Sequence, residues 1–189
     1  MALVAFTLLT GAIAKAEFDF VVGANSATMG NLPNGATNDS FTNGQVGILY
    51  RRDLSPRVGL GIGTEYRLIG YSYSYNGPPA GSVTYTEGQL TVPFFLSTPI
   101  SPYFFVFAGG SYWTFTAQNY GFTGSATYTT TAAAYANFPG TGLGPMAGFA
   151  IQIQRFIARV EYDFPVAITG GSSPVTASAI SLEVGIRTY

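Results

Sequence analysis

The sequence has no cysteine and no histidine, one lysine and one tryptophan. Without thiols there are no disulfides and no thiolate chemistry, and without imidazole most nucleophilic triads and zinc sites lack a component. Charge is scarce too: Asp, Glu, Lys and Arg make up 9% of the 189 residues, against about 25% in an ordinary soluble domain. Eight basic against nine acidic side chains leave a formal net charge of −1, so no basic field is present for a nucleic-acid partner. Also missing is an apolar run of about 20 residues, the length of a transmembrane helix. An exported chain of this hydropathy crosses a membrane as strands or not at all. What is plentiful is glycine, at 24 residues, and aromatic side chains, at 15%; both favour sheet and turns over helix.

Residues 1–16 read as a signal peptide. The run "ALVAFTLLTGAIA" is too short to span a bilayer, and "AKA" places small residues at Ala14 and Ala16, so that cleavage leaves Glu17 as the mature start. The positive segment that normally opens such a peptide is missing, because Ala2 follows Met1 directly. Residues 17–189 form one domain of eight expected strands, near 17–26, 44–53, 57–74, 82–96, 102–117, 142–154, 156–168 and 177–188. Their connections alternate in length. "LSP" at 54–56, "STPIS" at 97–101 and the residues around Arg155 are short, whereas 27–43 and 118–141 are long and 75–81 and 169–176 intermediate. In an up-and-down meander this puts tight turns at one end and longer loops at the other, as in outer-membrane barrels. No tandem repeat or second domain is visible.

A two-residue rhythm runs through nearly every strand. Phe18, Phe20 and Val22 oppose Glu17 and Asp19; Val46, Ile48 and Tyr50 oppose Arg51; Leu60, Ile62, Tyr66 and Leu68 oppose Glu65 and Arg67. Leu90, Val92 and Phe94 oppose Glu87 and Gln89; Phe149, Ile151 and Ile153 oppose Gln152 and Gln154. In "ARVEYDFPVA" Val160, Tyr162 and Phe164 alternate with Arg159, Glu161 and Asp163, and the last strand sets Ile180, Leu182, Val184 and Ile186 against Glu183 and Arg187. Only "YFFVFAGGSYWTF" is apolar in both phases and leaves its faces undecided. Alternation alone does not fix which face points out, since a soluble barrel has the same pattern with the apolar face inside. Here the polar phase also carries Val21, Gly47, Leu49, Gly59, Gly61, Gly63 and Ile69, a poor solvated surface. Small residues beside opposed charges suit the narrow interior of an eight-stranded barrel, which side chains fill. Aromatic residues near strand ends, such as Tyr50, Tyr66, Tyr73, Tyr103, Trp113 and Tyr162, fit the girdles of such barrels. The expectation is an all-β, antiparallel, up-and-down transmembrane barrel. Its lumen would hold a charge network of Glu17, Asp19, Arg51, Glu65, Arg67, Glu87, Arg159, Glu161, Asp163, Glu183 and Arg187.

The stretches "YRRDLSPRVGLGIGTEYRL", "LTVPFFL", "SPYFFVFAGGSYW" and "ARVEYDF" resemble the small outer-membrane β-barrel proteins of Gram-negative bacteria, the group of opacity-type surface antigens and the OmpA-type transmembrane domain. The resemblance covers residues 17–189 and rests on pattern and diffuse motifs. It implies eight antiparallel strands, both termini in the periplasm, four surface loops and the outer membrane as location. One departure is the last residue: the family usually ends on a lipid-facing aromatic, but Tyr189 shares the phase of Glu183 and Arg187.

Chemistry by such a chain has few candidates. Glu161 with Asp163 is the nearest carboxylate pair, and an ion-pair network explains both better than acid–base catalysis. "GLGIG" and "GLG" lack the helix and lysine of a phosphate loop, so glycine facing bulky neighbours is the better account. Pro93 and Pro165 suggest bulges or ends of pairing. No catalytic, metal or cofactor residue is assigned. The leading expectation is a structural or adhesin-like surface protein with a filled lumen and the bilayer as one partner. Host or envelope ligands would meet Tyr120, Phe122, Tyr128, Tyr135 and Phe138 in its longest loop. The alternatives are a narrow passive channel for small solutes and a soluble lipocalin-like carrier with inverted faces.

Overall fold

The computed structural model describes residues 16–32, 36–39, 41–75, 81–124, 141–167 and 176–188. They form strands β1 (Ala16–Gly30), β2 (Ala36–Asp39), β3 (Phe41–Ser55), β4 (Val58–Tyr75), β5 (Gly81–Pro99), β6 (Phe104–Gly124), β7 (Thr141–Ile153), β8 (Phe156–Ala167) and β9 (Thr176–Thr188). Each long strand pairs antiparallel with its chain neighbour, and β1 pairs with β9, as in Val22 opposite Val184, so the sheet has no free edge. The short β2 continues the line of β3 along β4, with Asp39 opposite Ser72. The result is a closed eight-stranded, all-antiparallel β-barrel. Closure satisfies the ladder bonds that an open sheet would leave exposed, which a bilayer requires.

β4, β7, β8 and β9 match the sequence pattern to within a residue at each end, whereas β1, β3, β5 and β6 are longer than it indicates. β1 runs to Gly30 and β2 begins at Ala36, inside the segment expected as a long connection, and β6 extends over 21 residues to Gly124. Tyr120 and Phe122 therefore lie on a strand, opposite Tyr85 and Val83. About 9–11 residues suffice to cross the hydrocarbon, so the long-loop ends of these strands stand beyond the apolar band. There the inner face of β1 carries small or neutral residues, with Ala27 and Met29 buried, and the apolar–polar beat fades. The short-turn end is tight: Pro56 and Arg57 link β3 to β4, and Gln154 and Arg155 link β7 to β8, with Gln154 at φ 55°. Pro165 lies in a register shift between Asp163 and Val166 where β8 meets β9. Pro93 causes no shift, and the β4–β5 ladder simply skips it.

The two phases take opposite sides throughout. Phe20, Val46, Ile62, Phe94, Ile151, Leu182 and Val184 are exposed on the outer wall, while Glu65, Arg67, Arg159, Glu161 and Glu183 are buried inside. This is the reverse of a soluble carrier. In β6 the inward side chains are Phe105, Phe107, Ser111 and Trp113, and Tyr112 points out. That strand was ambiguous because its inner phase is aromatic. The aromatics fit because glycine stands opposite: an added Cβ at Gly61 would strike Phe95, one at Gly148 would strike Phe107, and one at Gly142 would strike Trp113. These partners are directly paired across strands, so cross-strand glycines seat the aromatic rings. Of the glycines of "GLGIG" and "GLG", Gly61 and Gly142 seat rings, whereas an added Cβ would strike Ser97 at Gly59, Leu49 at Gly63 and Val166 at Gly144.

A lumen closed by an ion lattice and an aromatic layer

Side chains fill the lumen in levels. At the short-turn end Arg187 donates to both carboxylate oxygens of Asp19, at 2.6 and 2.8 Å, lies 2.8 Å from Glu17, and reaches Gln152. Arg51 stands apart from this group. It contacts Asp53 at 3.3 Å, and its guanidinium lies 4.4 Å from the centre of the Phe105 ring.

The next level is apolar. Val21, Leu49, Phe95, Phe105, Phe107, Ala150 and Ile157 are buried against one another, with the Phe95 and Phe107 rings 5.1 Å apart. The matching positions on β4, β7 and β9 are Gly61, Ala150 and Gly185, and the guanidiniums of Arg51 and Arg159 lie against the rings of the layer.

Above it sits the main ion lattice. Arg67 donates to Glu65 through Nε at 2.9 Å, to Asp163 through Nη1 at 2.6 Å, and to Glu161. Arg159 donates to Glu161 and, at 3.2 Å, to Glu65, and lies 3.3 Å from Glu183. Its guanidinium also rests on the apolar layer, 4.6 Å from the Phe107 ring centre and 5.2 Å from that of Phe95, a cation–π arrangement. Gln45 donates to Glu183 and accepts from Asn25 and Ser181, each at 3.1 Å. Two planar forks thus tie four carboxylates together, a role for which arginine is suited and lysine is not. Glycine makes room here as well: a Cβ at Gly47 would meet the Glu65 stem.

The register explains the pairing. Arg159 lies directly opposite Glu183, and Glu161 opposite Ser181, so Glu183 faces neither Glu161 nor Asp163. Glu161 and Asp163, two residues apart, are both engaged by Arg67, as Glu17 and Asp19 are by Arg187. Glu87 is buried nearer the long-loop end, among Tyr71, Gln89 and Trp113 around a small cavity. The eleven charged residues of the sequence pattern therefore occupy distinct levels. Glu17, Asp19 and Arg187 form one group, Glu65, Arg67, Arg159, Glu161, Asp163 and Glu183 another, and Arg51 and Glu87 lie outside both. The aromatic layer between the groups carries no charge and escaped the sequence reading; its signal was the apolar inner phase of β6. Among the described residues no group of three or more His, Cys, Asp or Glu is placed to hold a metal ion. Side chains of Tyr120 and Phe122, and the whole of Tyr128, Tyr135 and Phe138, lie outside the described residues, as does Tyr189.

No protein-family model matches the sequence, and no curated protein matches it. Solved structures do. Ail, the attachment invasion locus protein of Yersinia pestis, superposes with a TM-score of 0.51 at 13% identity, over 92% of this chain and 99% of that one. A second structure of Ail, in complex with the heparin analogue sucrose octasulfate, gives 0.47 at 12% identity, over 92% and 99% of the two chains. The outer membrane protein OprG of Pseudomonas aeruginosa gives 0.47 at 12% identity, over 93% and 97%. The fold is that of the small eight-stranded outer-membrane barrels.

Proposed function

We propose that this chain is a bacterial outer-membrane barrel whose lumen is a closed anchor and whose long-loop end is the working surface. The observation that carries this is the filled lumen: a buried ion lattice stacked on a layer of apolar side chains occupies it among the described residues. A passive channel would need both to open, so this reading stands behind the anchor. An outer wall of exposed Phe, Leu, Ile and Val is suited to lipid, not to water.

The surface reading can be made chemically narrower. Every arginine is either in the lumen or near the short turns, and the segments 27–38, 40–43, 72–86, 117–141 and 164–179 contain no charged residue at all. With Asp39 as its sole charge, this end has no cations to offer a sulfated or phosphorylated polymer. Its Thr, Ser, Asn and Tyr content fits neutral host or envelope ligands, held by stacking and hydroxyl hydrogen bonds, with Tyr120, Phe122, Tyr128, Tyr135 and Phe138 as the contact residues.

The test is adhesion and conduction on one preparation. Lipid vesicles carrying the barrel are expected to bind immobilised neutral glycans or surface proteins at 0.5 M salt, to ignore heparin, and to lose binding when Tyr128, Tyr135 and Phe138 are changed to Ser. The same barrel in planar bilayers is expected to give no unitary conductance. Steady single-channel steps would favour the passive-channel reading, and salt-sensitive heparin binding would overturn the neutral-surface reading.

A further inference from the structure

Above the ion lattice, toward the long loops, is a cavity of about 40 Å³. At roughly 10–15 Å³ per water-sized group, it takes about three or four non-hydrogen atoms. Its wall combines two carboxylates, Glu87 and Asp163, with the rings of Tyr71 and Trp113 and the hydroxyls of Thr91 and Ser111. Glu87, Tyr71 and Trp113 are buried, whereas the Asp163 side chain is 20% exposed, which leaves the cavity in contact with the long-loop end. Three independent features of this wall select the same ligand charge.

The first is the local balance of ions. At and above the lattice there are five carboxylates, Glu65, Glu87, Glu161, Asp163 and Glu183, and two guanidiniums, Arg67 and Arg159. Arg51 and Arg187 lie at or below the apolar layer and serve Asp53, Glu17 and Asp19. The second is ring chemistry: buried indole and phenol rings beside a carboxylate stabilise a cation through their negative faces. The third is acceptor capacity. Each oxygen of Asp163 receives one bond, from Arg67 at 2.6 Å and from Ser111 at 3.2 Å, while a carboxylate offers about four acceptor sites. Among the described residues lining the cavity, the single cation, Arg67, is turned toward Glu65, Glu161 and Asp163.

We infer that this cavity is a binding site for a small ammonium group, whether a free alkylamine or the amino end of a larger molecule entering from the long-loop end. The inference concerns the inside of the barrel mouth and is independent of what the loops contact. Trp113 is the one tryptophan in the chain, so its emission reports on the site without a label.

The experiment titrates the full barrel in neutral detergent micelles, folding verified by its heat-modifiable gel shift, with methylammonium chloride, sodium chloride at equal ionic strength, and methanol. The expected result is a saturable change in Trp113 emission with methylammonium alone. Glu87→Gln is expected to raise the half-saturation concentration about tenfold or more, the scale of one charge-assisted hydrogen bond. Ala177→Val, which fills the cavity without touching a charge, is expected to abolish the response and decides the matter if Glu87→Gln does not fold. The inference is overturned by no saturable change in the wild type, by equal responses to sodium or methanol, or by an unaltered response in either folded variant.

Discussion

Replacing Arg159 by methionine tests whether the lattice holds the barrel together. Arg159 is 2% exposed, contacts Glu65, Glu161 and Glu183, and lies against the rings of Phe95 and Phe107. Methionine keeps the contact with the rings, so the change isolates the charge. It leaves Glu65, Glu161, Asp163 and Glu183 with Arg67 as their one guanidinium. Removing one partner of a buried ion pair costs about 3–5 kcal/mol, a large share of the ~5–15 kcal/mol that typically separates folded from unfolded states. Arg159→Lys keeps the charge but not the fork that reaches three carboxylates, and is expected to fall between wild type and Arg159→Met. Adding Glu183→Gln to Arg159→Met removes one surplus carboxylate and is expected to recover about 1–3 kcal/mol, the usual size of coupling between contacting residues. The assay is urea unfolding in phospholipid vesicles followed by Trp113 emission. A loss below about 1 kcal/mol for Arg159→Met, or no recovery in the double variant, would refute the claim that these ions stabilise the fold.

Three further outcomes follow from the same packing. Val184 is 55% exposed within the outer band from Ile180 to Ile186, so Val184→Arg is expected to cost about 2–4 kcal/mol at mid-bilayer depth in the same unfolding assay, and a neutral result would displace β9 from the bilayer centre. Gly61→Val must push the Phe95 ring off its seat and is expected to cost about 1–3 kcal/mol by overpacking, with a lowered urea midpoint as the readout. Gln154 holds φ 55° in the β7–β8 turn; Gln154→Gly is expected to raise the midpoint by the equivalent of about 0.5–1 kcal/mol, since glycine adopts that backbone without a Cβ penalty.

Much of this architecture is legible in the sequence, and the reason is physical. Each bilayer-spanning position has one of two solvents, lipid or a crowded polar lumen, so parity along β1, β4, β8 and β9 sorts residues such as Phe20, Tyr66, Glu161 and Glu183 to their sides. Where lipid ends, the signal ends. The outer parts of β1, β2 and β6 carry Ala, Gly, Ser, Thr and Asn in both phases, so residues 27–43 and 118–124 look like loop. Pairing is less legible than sidedness. That Arg159 meets Glu183 depends on turn lengths and on the shift at Pro165, which local periodicity does not encode. The inner phase of β6 was unreadable for a related reason: Phe107 and Trp113 are tolerated inside because of Gly148 and Gly142 on another strand.

The uneven distribution of arginine between the two ends has a consequence for assembly. A barrel enters its bilayer from one side, and one set of hairpin tips must travel through the hydrocarbon before the strands close. Carrying an arginine or an aspartate to the centre of that layer costs about 2.5–3.5 kcal/mol on insertion scales. The short-turn tips hold Arg52, Arg57 and Arg155 and would meet that barrier several times over, whereas the other set holds Asp39 alone. The chain thus has a built-in leading edge. With one charge against three arginines, the long-loop hairpins meet the smaller barrier to crossing, and the arginines of the short-turn end favour remaining at the face of entry.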